Sequence, residues 1–181
     1  MALLSVEDTV LMVIDMQGNL YESMQDKQFL SENVQKLVRG MQVFGIPVIV
    51  TEQIPEKLGP TIPPVASLLP DTRGIPKADF SCCGDEKIIK ALKAADRRQV
   101  LLCGIEAHVC VYQTAIDLLG FGYEVHLVAD AVSSRTVLNR EIGIEKMRDE
   151  GALLSSTEMV LFELVRTAED PKFKEIFKIV K

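Results

Sequence analysis

Residues 100–110 read Val-Leu-Leu-Cys-Gly-Ile-Glu-Ala-His-Val-Cys, an apolar run that passes through a glycine into a short turn. Residues 99–104 predict a buried β-strand. Residues 109–119 have the apolar spacing of a helix that packs against a sheet. A strand that leads into such a helix is typical of a parallel βαβ unit, and it places Cys110 in the first turn of the helix.

Cys110 has two interpretations at this position. A thiol at a helix N-terminus is close to the positive end of the helix dipole and to unpaired backbone N–H groups, both of which favour the nucleophilic thiolate. Free cysteine is also among the most buried residue types, so Cys110 can equally be a small apolar core residue. This segment alone leaves both interpretations open.

The strand-helix alternation continues outward along the chain in both directions. Continuous apolar runs predict further strands at residues 9–14, 46–51, 124–129 and 152–154. Helical apolar spacing predicts helices at residues 30–44, 85–95, 137–150 and 157–166, and a last helix opened by Pro171. This alternation predicts an α/β fold of three layers, a doubly wound, Rossmann-like parallel sheet with helices on both faces. The length suits a single domain over residues 1–181.

In such sheets ligands bind outside the carboxyl ends of the strands. Asp15 follows the first predicted strand, and the turn at residues 106–110 follows the strand at 99–104. The segment at residues 55–76 holds six of the eight prolines and ends just before Lys77. We expect this segment to be an ordered pocket wall or a subunit contact, and Lys77 to return to the sheet.

Composition argues against several classes of partner. The formal charge of −6 and the pI near 5.0 argue against binding to nucleic acid or to an anionic membrane surface. The apolar runs have the length of strands and fall short of the ~20 residues that span a bilayer. The spacing of the four cysteines does not match a zinc site. They are Cys82, Cys83, Cys103 and Cys110. Free thiols of this kind favour a cytoplasmic protein.

If Cys110 is a nucleophile, another residue must accept its proton. His108 is only two positions away and points to a different side of a helix, and His126 lies in the middle of a predicted strand. Asp15 is then the remaining candidate base, and Lys77 can form an ion pair with it. Alternatively, Asp15 is a turn or capping residue and Lys77 a solvated loop residue.

Three segments, in this order along the chain, resemble the signatures of the isochorismatase-like cysteine hydrolases. They are Val-Ile-Asp-Met-Gln at 13–17, Lys-Ala-Asp-Phe at 77–80 and Gly-Ile-Glu-Ala-His-Val-Cys-Val at 104–111. Residues 51–63, 130–135 and 171–176 resemble the subgroup of isochorismatase domain-containing proteins. The resemblance extends over nearly the whole chain.

The resemblance implies a six-stranded parallel sheet and a catalytic triad of Cys110, Asp15 and Lys77. It also implies a cis peptide bond between Ile105 and Glu106, with the N–H groups of Glu106 and Cys110 forming an oxyanion hole. The activity it implies is hydrolysis of a small-molecule amide or related C–N bond through an acyl-enzyme on Cys110. The alternative is a non-catalytic or redox-responsive binding protein that retains the fold.

Substrate contacts are expected from Gln17, Leu20, Tyr21 and Phe80, although the apolar three can equally belong to the core. Metal-binding members of the family use histidines that follow the first strand. This chain has no histidine before His108, so we expect neither a metal ion nor a cofactor. The resemblance also implies a homo-oligomer, a dimer or a tetramer.

Overall fold

The computed structural model describes residues 3–181 and contains a sheet of six parallel strands. The strands in chain order are β1 (Thr9–Ile14), β2 (Val48–Gln53), β3 (Ile75–Lys77), β4 (Gln99–Ile105), β5 (Glu124–Ser133) and β6 (Leu153–Ser155). Their order across the sheet is β3-β2-β1-β4-β5-β6. The chain extends the sheet from β1 to one edge, returns to the centre with β4 and extends it to the other edge. This is the doubly wound arrangement that the alternation predicts.

Helices cover both faces of the sheet. On one face lie α2 (Lys27–Phe44), α8 (Thr157–Val165) and α9 (Phe173–Val180). On the other face lie α5 (Glu86–Ala95), α6 (Tyr112–Gly120) and α7 (Val137–Asp149). The predicted three-layer α/β class is confirmed. Among residues 3–181, no helix has both the length and the apolar character needed to cross a membrane.

The central strand β1 explains why residues 9–14 read as a continuous apolar run. Leu11 and Val13 pack into the core on the α2 side, whereas Val10, Met12 and Ile14 pack into the core on the α5 side. Every residue of β1 is buried because both faces of the strand are covered. A strand of this kind shows no polar alternation.

Three predicted boundaries were wrong because polar residues hid regular structure. The strand predicted to end at residue 51 continues to Gln53. The helix predicted from residue 30 begins at Lys27, and its first three residues contribute no buried apolar side chain, so they carry no apolar periodicity. The strand predicted to end at residue 129 continues to Ser133. Its last part includes the polar Asp130, yet it pairs with β4 again after a register shift.

The proline-rich segment contains regular structure. It contains two short helices, α3 (Pro55–Leu58) and α4 (Pro63–Ala66), and ends in β3. Ile62 and Val65 anchor it in the core on the α2 side of the sheet. β3 has only three residues and includes Pro76, which is acceptable at the edge of a sheet. Its brevity is why apolar pattern did not reveal it as a strand.

Gly104 permits the two central strands to approach closely where both end. Its φ is +112°, and a Cβ atom added there would lie 2.0 Å from the carbonyl oxygen of Ile14. That oxygen belongs to the backbone of β1, which cannot move aside as a flexible side chain would. A glycine is therefore required at the junction of β1 and β4.

Replacing Gly104 with alanine should destabilise the fold by roughly 2–5 kcal/mol, from steric overlap and from the unfavourable φ. Urea unfolding followed by circular dichroism would measure the loss. Gly120→Ala is the matched control, since nothing lies within 4 Å of a Cβ atom at this exposed position. The control should change stability by no more than about 1 kcal/mol. Equal urea midpoints for Gly104→Ala and the wild type would contradict the prediction.

Candidate active site

The carboxyl ends of β1 and β4 lie side by side where the strand order reverses. Asp15 directly follows β1. The residues that follow β4 form a π-helical turn, Ala107–Val111, which we call the Cys110 turn. Crevices outside such a pair of strand ends are where open α/β sheets bind ligands. The fold thus brings together two residues that are far apart in the sequence.

Asp15 is fixed in place by its neighbour strand β2. Its φ of 50° is in the left-handed region, which aspartate tolerates better than most residues. The Asp15 N–H donates to the Thr51 carbonyl at 3.2 Å, and the Thr51 hydroxyl donates to Asp15 Oδ1 at 2.8 Å. The Asp15 side chain is fully buried. One carboxylate oxygen is therefore held by Thr51, and Oδ2 is left for a different partner.

Lys77 supplies that partner. Its Nζ lies 2.8 Å from Asp15 Oδ2, and neither side chain is exposed to solvent. Lys77 lies at the end of the edge strand β3, so its side chain reaches past the end of β2 to meet Asp15. Nζ also donates to Gln53 Oε1 at 2.6 Å and to the carbonyl oxygens of Asp79 and Phe80 at 3.2 and 3.1 Å. These oxygen acceptors replace the water that the ammonium loses on burial.

The charge on Lys77 depends on Asp15. Burial, the largest single effect, would lower the pKa of Lys77, but the Asp15 carboxylate together with Cys110 and Cys82 opposes it, and the pKa is raised on balance. The two residues therefore form a buried ion pair at neutral pH. A buried pair of this kind has little net effect on stability when intact, but removal of one partner leaves an uncompensated charge.

Cys110 lies in the Cys110 turn just before α6 and is 5% exposed. Burial raises the pKa of its thiol to about 12, the negative charge of Asp15 adds to the rise, and Lys77 opposes it. Burial and the Asp15 carboxylate thus oppose the thiolate that a helix N-terminus alone would favour. Cys110 is a thiol at neutral pH, with a carboxylate beside it.

The start of the Cys110 turn is fixed by Glu106. The peptide bond between Ile105 and Glu106 is cis, at the position that the family resemblance implies. The Glu106 carbonyl accepts hydrogen bonds from the N–H groups of Val109 and Val111 at 3.1 and 3.2 Å. Its buried carboxylate accepts two more from Arg135, from the backbone N–H at 3.2 Å and from Nε at 3.0 Å.

Helix α7 presses against the same turn. A Cβ atom added at Gly143 would lie 2.9 Å from the Ala107 carbonyl oxygen and 2.9 Å from the Cα atom of His108. The absence of a side chain at Gly143 therefore allows α7 to pack directly on the backbone of the Cys110 turn. The thiol is carried by a backbone that is held from both sides.

The predicted substrate contacts have different surroundings. The Gln17 amide is buried and donates to the carbonyls of Gln53 and Gly59 at 3.1 and 2.7 Å, while its oxygen accepts from the Gln53 N–H at 2.6 Å. Gln17 thus fastens the proline-rich segment, and its amide has no donor left for a substrate. Phe80 differs because the residue is 55% exposed and its carbonyl oxygen accepts a hydrogen bond from Lys77.

Leu20 and Tyr21 lie on α1 (Gly18–Glu22), which follows the Asp15 turn. Both are half-buried and pack against the core on the α2 side. The Tyr21 hydroxyl donates to the carbonyl of Lys27 at 2.9 Å. Both residues thus pack against the core, which is the alternative to substrate contact that the sequence left open.

Sequence reasoning missed three neighbours of the ion pair. Thr51 and Gln53 are buried polar residues at the carboxyl end of β2, where they contact Asp15 and Lys77. Cys82 is fully buried, and its Sγ lies 3.8 Å from the Thr51 hydroxyl. The signal that would identify Thr51 and Gln53 is polar residues that end an apolar strand at the ligand-binding edge.

Neither histidine is paired with Cys110. The His108 Nδ1 lies 2.9 Å from the Ser134 hydroxyl, and the His126 Nε2 lies 2.8 Å from Glu124 Oε1. Across residues 3–181 there is no group of three or more histidine, cysteine, aspartate or glutamate side chains placed to hold a metal ion.

A cavity of about 590 Å³ lies at the opposite edge of the sheet, where β4 and β5 begin. Its lining includes Leu92, Arg97, Phe121 and Tyr123, and does not include Asp15, Lys77 or Cys110. This cavity is therefore separate from the candidate active site at the carboxyl ends of the strands.

The chain is similar to proteins of one family. The family model described as the isochorismatase domain matches residues 9–159. Isochorismatase domain-containing protein 2 of Danio rerio is 41% identical over 180 residues, which cover 98% of this chain and 89% of that protein.

Two solved structures share the fold. A structure described as MAR1 ribonuclease from Caenorhabditis elegans has a TM-score of 0.94 and 36% identity, covering 99% of this chain and 92% of that one. The YcaC protein from Escherichia coli, described as an octameric hydrolase of unknown specificity, has a TM-score of 0.93. It is 24% identical, with coverage of 99% of this chain and 91% of that one.

The buried ion pair gives a stability prediction. Asp15→Asn and Lys77→Met should each destabilise the protein by about 3–5 kcal/mol, because each leaves the other charge buried and unpaired. The double variant should lose less than the sum of the two single losses. Urea unfolding of the four proteins would measure this coupling. Strictly additive losses would show that the two charges do not depend on each other.

The same two variants should shift the reactivity of Cys110 in opposite directions. Loss of the Asp15 carboxylate should lower the pKa of the thiol, and loss of the Lys77 ammonium should raise it further. Alkylation by iodoacetamide, followed by peptide mass spectrometry between pH 7 and 10, would give the pH profiles. Wild-type alkylation should still be rising at pH 10, and Asp15→Asn should level off at a lower pH. The same pH profile in all three proteins would contradict this assignment.

Proposed function

This chain belongs to the isochorismatase family, and we propose that it is a cysteine-dependent hydrolase of a small-molecule amide or related C–N bond. The observation that carries the proposal is the fully buried Asp15–Lys77 ion pair beside the Cys110 thiol, at the switch point of the sheet. This arrangement supplies a nucleophile, a proton acceptor and a fixed positive charge at one place.

The first step is attack by sulfur on the carbonyl carbon of the substrate. Because the pKa of Cys110 is raised to about 12, the proton leaves as the S–C bond forms, and the Asp15 carboxylate takes it. Thr51 and Lys77 keep the two carboxylate oxygens fixed during the transfer. The Lys77 ammonium remains charged throughout and stabilises the negative charge that develops nearby in the transition state.

The developing oxyanion is assigned to the backbone N–H groups of Glu106 and Cys110. Residues in the first turn of a helix lack intrahelical acceptors for their N–H groups, and the Cys110 turn is such a turn. Its position is fixed by the Glu106 carboxylate on one side and by α7 on the other. A donor pair that is held in advance costs little reorganisation in the transition state.

The remaining steps return the enzyme to its starting form. Asp15 donates its proton to the nitrogen as the C–N bond breaks, which leaves an acyl group on Cys110 as a thioester. Water then attacks this thioester, with Asp15 as the base. The acid is released and the thiol is restored. The exposed ring of Phe80 is the predicted apolar contact for the substrate.

Two alternative functions can be distinguished from hydrolysis of an amide with the same protein. A non-catalytic or redox-responsive binding protein would contain the same residues but release no amine from any amide. The C. elegans structure carries the name ribonuclease, so RNA is a second substrate to include. The net charge of −6 disfavours a polyanion, and a phosphodiester has no acyl carbon with which to form a thioester.

The proposal is tested by incubating the protein with a panel of small amides and measuring ammonia or amine release. Acid quenching followed by peptide mass spectrometry should detect an acyl group on Cys110. Cys110→Ser and Asp15→Asn should each reduce turnover by about a thousandfold or more. The matched control Cys83→Ser alters a half-buried thiol outside the ion-pair site and should retain activity.

Full turnover by Cys110→Ser would overturn the proposal. Degradation of RNA at equal rates by the wild type and Cys110→Ser would show that any nuclease activity is independent of this site. The predicted homo-oligomer remains a prediction, which light scattering of the purified protein would measure.

A further inference from the structure

We infer that Arg135 binds a carboxylate group of the substrate, so that the substrate is a small amide with an anionic end. The inference rests on the proposed function and deepens it by naming the chemical class of the substrate. It comes from an arginine that is firmly positioned next to the Cys110 turn, with most of its hydrogen-bond donors unused.

The backbone places Arg135 beside the residue that starts the Cys110 turn. β4 and β5 are neighbours, and Ile105 is paired with Ser133 at their carboxyl ends. Glu106 follows Ile105 directly, and Arg135 is the second residue after Ser133. Both residues therefore leave adjacent strands at the same edge of the sheet, where Cys110 also lies.

The backbone of this segment is held on both sides. The Arg135 N–H donates to Glu106 Oε1 at 3.2 Å, and its carbonyl accepts from the Gln25 side chain at 3.1 Å. The Gln25 N–H donates to the Ser134 carbonyl at 3.0 Å, and the Ser133 hydroxyl donates to the Gln25 carbonyl at 2.7 Å. Arg135 therefore starts from a fixed position despite its exposed side chain.

One of the five N–H donors of the guanidinium group orients it, and the other four donate to no protein group among residues 3–181. Nε donates to Glu106 Oε1 at 3.0 Å, whereas Nη1 and Nη2 have no hydrogen-bond partner among residues 3–181. The side chain is 60% exposed, while that of Glu106 is only 9% exposed. The buried carboxylate thus acts as an anchor, and the free edge of the guanidinium is presented to solvent.

A guanidinium edge of this kind matches a carboxylate. Two N–H donors in one plane fit the two oxygens of a carboxylate, and a guanidinium that is already oriented loses less entropy on binding. The anchor residue Glu106 is also the residue whose backbone N–H is assigned to the oxyanion. A carboxylate at Arg135 would therefore position the other end of a small amide near Cys110.

Two alkylating agents of similar size test the inference without a known substrate. Iodoacetate carries a carboxylate and iodoacetamide a neutral amide. In both reactions the Cys110 thiol loses its proton to solvent, its sulfur forms an S–C bond, and iodide leaves with the electron pair of the C–I bond. The ratio of the two Cys110 alkylation rates, measured by peptide mass spectrometry, is compared between the wild type and Arg135→Gln. Free glutathione gives the intrinsic ratio of the two reagents.

The wild type should favour iodoacetate, relative to glutathione, by about tenfold, which is the usual strength of a charge-assisted hydrogen-bonded pair. Arg135→Gln should remove this preference, and Arg135→Lys should restore only part of it, because lysine keeps the charge without the planar pair of donors. The control Arg148→Gln removes an exposed arginine that contacts Glu145 and Asp149, and should leave the ratio unchanged.

A merely structural role for Arg135 would change the rates with both reagents equally and leave their ratio constant. If Cys110 reacts, and the ratio of its iodoacetate and iodoacetamide rates is the same in the wild type and Arg135→Gln, the inference is overturned. The proposed hydrolase is then left intact. A wild-type Cys110 that shows no more preference for iodoacetate than glutathione does would likewise overturn the inference alone.

Discussion

The ion pair between Asp15 and Lys77 is the constraint on which the rest of the site depends. Two opposite charges lie 2.8 Å apart with no access to solvent, so each requires the other. Thr51 and Gln53 at the end of β2 occupy the remaining acceptor and donor directions. The parallel order β3-β2-β1 is what allows a lysine on the edge strand and an aspartate after the central strand to meet across one intervening strand.

Burial and this pair together determine the state of the thiol. In many cysteine enzymes a neighbouring cation stabilises a resting thiolate. Here the positive charge is already matched by Asp15, so burial and the carboxylate keep the Cys110 proton in place. A protonated sulfur is a weak target for oxidants, because oxidation follows thiolate character and exposure. The nucleophile is formed only when a carbonyl carbon is close enough for sulfur attack and proton transfer to occur together.

The sequence predicted the features that depend on repeated burial. The continuous apolar run of β1 and the run that leads to Cys110 identified two central strands, and helical spacing identified the helices between them. Asp15, Lys77 and Cys110 were predicted to lie at one edge, and the structure brings them together. β3 was not recognised as a strand because three residues carry no period. The partners of Gln17 and the pKa of Cys110 were not predictable, since both depend on residues that only the tertiary fold brings near.

The strand order also divides the molecule according to when its parts are synthesised. Everything before residue 78 supplies β1, β2, β3 and both members of the ion pair, whereas β4 and the Cys110 turn come later in the chain. As the chain leaves the ribosome, the edge of β1 that will meet β4 has no partner, and Gly104, which allows the close approach, has not yet emerged. A nascent chain at this stage presents an unpaired apolar strand edge, the kind of surface that aggregates or recruits chaperones. The seam at which the site is built therefore cannot close until β4 has been synthesised.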